Sequence, residues 1–144
     1  MSTITVSTTV AAPLAEVWRA YTTPADIVAW NTASPDWHTT RAEVDLRVGG
    51  AFSSRMEAKD GSMGFDFAGT YTQVLPLERI EYAFGERRAQ VTFSDDPAAG
   101  GVTVQVSFEP ETVYPEEQQR HGWQSILDSF KRHVEAAAQP QQRG

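Results

Sequence analysis

Asp36, His38 and Asp45 stand close together and form the one group in the chain with the types needed for acid–base work, since a histidine beside a carboxylate can move a proton near neutral pH. Each also has an ordinary use: a loop histidine is simply solvated, and an aspartate at a strand end fixes the turn that follows. His121 and His133 lie twelve positions apart, on different turns of any helix that carries both, with no common face. With three scattered histidines, no cysteine and no His-Glu-x-x-His spacing, neither a metal site nor a cofactor is expected. Ser53, Ser54 and Ser125 are outside any Gly-x-Ser-x-Gly elbow, so nucleophilic catalysis has no support in the residue pattern.

A second set is apolar. Trp30, Trp37, Phe52, Phe65, Phe67, Tyr71, Trp123 and Phe130, with Met56 and Ile126, fall at strand and helix periods that aim them into one interior. Two readings stay open: a cavity walled by aromatic faces that holds a small apolar ligand, or a solid core. In the first, His38 and Asp45 are the polar candidates at its mouth. Gly69 in a strand and Gly122 in the middle of a helix remove side-chain volume nearby; easing of sheet curvature at Gly69 and close packing of helix on strand at Gly122 are the expected reasons.

The elements that must position these residues can be read from periodicity. Ile4, Val6, Thr8 and Val10 alternate with polar residues as a half-buried strand. Leu14, Val17, Trp18 and Tyr21 recur at helical spacing after Pro13, and Thr23-Pro24 stops that helix and starts a second one through Trp30. Residues 31–40 carry turn formers and no period, so a loop holding Trp37 and His38 is expected. Six strands follow, Arg41–Leu46, Ala51–Ala58, Gly64–Leu75, Arg79–Phe84, Arg88–Ser94 and Val102–Phe108, joined by turns such as Val48-Gly49-Gly50 and Asp60-Gly61. Their inner faces are apolar. A helix from Pro115 to about Ala138, with Trp123, Ile126, Leu127, Phe130 and Val134 on one face, is built to cover that surface; Arg120 is expected to pair with Glu116 on its outside. The fold class is therefore α+β, a curved antiparallel sheet of six or seven strands around a long C-terminal helix, in one domain over residues 1–138 with a frayed tail at 139–144.

Bulk properties exclude several classes. Lys and Arg number 12 against 19 Asp and Glu, a formal charge of -7 that lacks the basic footprint of nucleic-acid or anionic-membrane binding. No apolar run approaches the ~18 residues of a membrane span, and the N-terminus has no signal-like pattern, so a cytoplasmic location is expected.

Four stretches together carry a family resemblance: Asp45-Leu46-Arg47-Val48-Gly49-Gly50-Ala51-Phe52, Gly64-Phe65-Asp66-Phe67-Ala68-Gly69-Thr70-Tyr71, Pro76-Leu77-Glu78-Arg79-Ile80-Glu81-Tyr82, and Gly122-Trp123 with Ile126, Leu127 and Phe130. In that order the chain resembles the family homologous to the C-terminal domain of the activator of the ninety-kilodalton heat-shock chaperone's ATPase. That family lies within the START-related, pollen-allergen-like (SRPBCC) superfamily. The resemblance implies a helix-grip fold, and in the superfamily the space between sheet and helix often takes a lipid, sterol or polyketide. It also raises a chaperone contact, although the eukaryotic activator makes much of that contact through a separate N-terminal domain. A small apolar-ligand-binding module is thus the leading expectation. The alternatives are a cyclase-like or hydrolase-like enzyme working through Asp45 or His38 in the same pocket, and a ligand-free interaction protein.

Overall fold

The computed structural model describes residues 3–138, and the 139–144 tail lies outside the described residues. Strand β1 (Ile4–Val10) leads into helices α1 (Leu14–Thr22) and α2 (Pro24–Trp30), followed by β2 (Trp37–Val44), β3 (Ala51–Ala58), β4 (Gly64–Leu75), β5 (Arg79–Phe84), β6 (Arg87–Asp96), β7 (Gly101–Phe108) and the long α3 (Glu116–Ala138). All strands join one antiparallel sheet in the order β1-β7-β6-β5-β4-β3-β2, so every hairpin pairs neighbours and β1 closes on β7. This curled half-barrel gripping α3 is the helix-grip fold.

The alternation read from the sequence places the core. Val102, Val104, Val106 and Phe108 of β7, Val91 and Phe93 of β6, and Ile80, Tyr82 and Phe84 of β5 are all buried on one face. From α3, Leu127, Phe130 and Val134 pack against that face, and their apolar contact with it holds the helix in place.

The largest difference from the sequence reading is at β2, which starts at Trp37 and ends at Val44; β6 also runs two residues further than expected, to Asp96. Residues 37–40 belong to the strand, with Trp37 opposite Ala58, His38 opposite Glu57 and Thr39 opposite Met56, and Thr40 is the extra residue of a bulge that shifts the register before Arg41. Thr39 is buried with its hydroxyl donating to the Asn31 carbonyl at 2.6 Å, and that bond anchors a polar stretch that lacks an apolar period. The loop is therefore shorter than expected.

Helix α3 also seals the free edge of β1. Thr5, Ser7 and Thr9 turn their carbonyls away from β7, and these accept from Arg120 at 3.1 Å, Gln124 at 3.0 Å and Lys131 at 2.7 Å. The Ala11 N–H donates to Glu135 at 2.9 Å, so the edge that could template pairing with another chain is occupied. Arg120 turns to Glu117 at 3.3 Å, not to Glu116, while reaching for Thr5. At the other end of the helix, His133 and Asp26 meet at 2.9 Å, joining α3 to the first turn of α2.

Candidate functional site

Helix α3 runs closest to β1, and the site opens between the helix and the β3–β5 part of the sheet. On β7, Phe108 stacks on Trp123 with centroids 4.0 Å apart and planes at 11°. Between the curled strands, α1, α2 and α3 lies a cavity of about 500 Å³. Its size falls within the ~300–1,000 Å³ usual for small-molecule sites.

The wall is assembled from aromatic contacts. Phe52 on β3 sits opposite Gly69 on β4, and a Cβ on Gly69 would meet its ring at 2.8 Å and collide with the Ala83 carbonyl. Glycine there lets the Phe52 ring lie flat across β4, where it touches Tyr71 at 5.2 Å and Tyr82 at 5.0 Å. Phe67 stands edge-on to Trp123 at 6.2 Å, linking sheet to helix. Trp30 is held by its indole N–H donating to the Ala20 carbonyl at 2.9 Å. At the outer end Trp37 and Phe65 lean together at 5.9 Å, with Phe65 half exposed.

Nine of the expected apolar residues border the cavity: Trp30, Trp37, Phe52, Met56, Phe65, Phe67, Tyr71, Trp123 and Ile126. Phe130 does not; it is wholly buried behind Trp30, edge-on at 5.0 Å. His38 and Asp45 are not in the wall either. His38 is exposed on β2 between Trp37 and the buried Thr39, so strand alternation turns it to the outer face. Asp45 lies beyond the end of β2 and accepts from Arg47 Nε at 2.9 and 3.0 Å. Neither His38 nor Asp45 borders the cavity, and no cluster of metal-ligating side chains occurs among the described residues.

Gly122 corrects the sequence reading in another way. It borders the cavity, and a Cβ built on it would meet no atom within 4 Å, so it faces open space and does not allow close helix–sheet contact. Sequence reasoning also missed Tyr21, Asn31, Ser54 and Tyr82 as wall residues. The signal for the tyrosines was available: an inward-facing phenol brings a polar tip that needs somewhere to go. Burial raises the pKa of all three wall phenols. Tyr71 is pushed up to about 12, with the nearby Asp45 charge adding to the effect, and Tyr21 and Tyr82 also rise.

Residues 11–135 match the family model described as activator of Hsp90 ATPase homolog 1-like protein. The chain belongs to this family. The solution structure of the AHSA1-like protein from Aeromonas hydrophila is 44% identical, with 99% of each chain covered and a TM-score of 0.89. A solution structure from Cytophaga hutchinsonii is also 44% identical over 93% of this chain and 92% of that one, TM-score 0.78. A crystal structure from Chromobacterium violaceum is 27% identical over 94% and 99%, TM-score 0.82. No curated protein is matched. Among the described residues of this AHSA1-like chain, no helix is long and apolar enough to cross a membrane.

Proposed function

We propose that this AHSA1-like protein is a binding module that holds one small, largely apolar molecule between its sheet and C-terminal helix. The observation that carries the reading is the aromatic-walled cavity of about 500 Å³, kept open where Gly122 lacks a side chain. A rigid antiparallel sheet on one side and a long helix on the other pre-form such a site, so little ordering opposes binding. Family membership supports a ligand-binding architecture in general. The enzyme alternative through His38 and Asp45 loses its support, because neither residue borders the cavity.

Native mass spectrometry of protein from its expression host, followed by tryptophan-fluorescence titration with fatty acids, sterols and aromatic polyketides, tests the proposal. Saturable one-to-one binding of at least one class is the expected result. A flat response across all of them would overturn it.

A further inference from the structure

Most of the cavity wall is carbon, but four deep side chains present polar atoms to it. Tyr71 and Tyr82 are each 7% exposed, Ser54 6% and Asn31 9%, and all four line the cavity. Tyr71 and Tyr82 are cross-strand partners of β4 and β5, so both rise from the same face of the sheet, each against the Phe52 ring. Among the described residues, the three hydroxyls and the Asn31 side-chain amide have no hydrogen-bond partner in the protein; Asn31 is engaged only through its backbone, as in the Thr39 bond. Nor are these polar atoms sealed away: the unpartnered side-chain atom fully shut off from solvent is Gln73 Oε1, and Gln73 does not border the cavity. The half-buried Tyr21 adds a further phenol from α1.

Charge is confined to two wall residues. Glu43 is a largely exposed side chain, 72% accessible. The Arg87 guanidinium is committed elsewhere: it lies over the Phe84 ring at 4.4 Å, donates to the Glu109 carbonyl at 3.3 Å and approaches Glu111 at 3.9 Å. A carboxylate pushed deep into the cavity would meet no free cation there. A hydrocarbon would strand the polar groups without partners, at a cost of about tenfold or more in affinity for each one desolvated. A phenol, with an ordinary pKa of about 10, is protonated and hence a donor at neutral pH, and burial only moves its titration further up.

Resting on the binding-module reading, we infer that the cavity selects a neutral molecule whose apolar body carries a hydrogen-bond-accepting oxygen, such as a ketone or lactone, seated against the Tyr71 and Tyr82 hydroxyls.

Three probes of one shape separate the terms: 2-acetylnaphthalene, 2-isopropylnaphthalene and 2-naphthoate, titrated calorimetrically into the full chain and its Tyr71→Phe/Tyr82→Phe variant. The ketone should bind the wild type at least about tenfold more tightly than either the hydrocarbon or the carboxylate. In the variant, whose fold is checked by circular dichroism, the ketone's advantage over the hydrocarbon should shrink to about threefold or less. Saturable binding with hydrocarbon and ketone equal in the wild type would overturn this inference and leave the binding module standing. Tighter binding of the naphthoate would also overturn it. No binding by any probe would count against both.

Discussion

Replacing Gly122 separates an open cavity from a packed helix–sheet seam. Gly122 lies in the interior of α3, where glycine costs about 0.8–1.0 kcal/mol relative to alanine through lost backbone entropy. Because a Cβ there meets no atom within 4 Å, Gly122→Ala recovers that amount with no steric cost. For a chain of 144 residues, with unfolding entropy about 2.1 cal/mol/K per residue, the gain raises Tm by about 3 °C. Gly122→Leu projects further into the cavity; it should keep at least wild-type Tm while weakening 2-acetylnaphthalene binding by about tenfold or more. Differential scanning calorimetry and isothermal titration on the three proteins read both effects. A Tm for Gly122→Ala several degrees below wild type would mean that the helix touches the sheet at this position, and the reasoning would fail.

Other substitutions probe the frame of the site. Trp123→Ala, which removes the stacked contact with Phe108, should cost about 3 kcal/mol in urea unfolding, toward the low end for a tryptophan because one side of the indole borders the cavity. Leu77 holds φ at 68° in the turn closed by the Glu78 N–H on the Leu75 carbonyl, so Leu77→Gly should stabilise the protein by about 0.5–1 kcal/mol in the same assay. Lys131, bonded to Glu135 at 2.6 Å, together with the Ala11 N–H, holds the Glu135 carboxyl below its ordinary 4.5. A depressed folded pKa gives stability that is present above 4.5 and lost as pH falls through the lower folded value, so Lys131→Met should flatten the acid limb of the stability–pH curve.

The sheet was legible because β-branched and aromatic residues alternate over long strands, as in Val102–Phe108, and because α3 carries one apolar stripe from Trp123 to Val134. The start of β2 was not, since Trp37-His38-Thr39-Thr40 is held by pairing with β3 and by the Thr39–Asn31 bond, neither of which leaves a periodic trace. At the site, strand and helix periods correctly aimed nine wall residues inward. They could not separate Phe130, one turn further along α3 and behind Trp30, from Ile126 at the cavity surface. His38 falls outside the wall because strand alternation turns it to the outer face, and Asp45 because it lies past the end of β2, bonded to Arg47. Gly122 was read as a packing device, although only the distance between helix and sheet decides that question.

Whether the cavity takes a ligand can be read from the four indole N–H signals in a two-dimensional nitrogen–proton NMR spectrum during titration with 2-acetylnaphthalene. Trp30, Trp37 and Trp123 border the cavity, whereas Trp18 packs on Phe93 at 5.2 Å away from it and serves as the internal control. Saturable shifts at the three cavity indoles with Trp18 unmoved are the expected result. Four static signals, or a Trp18 shift as large as the others, would contradict the account.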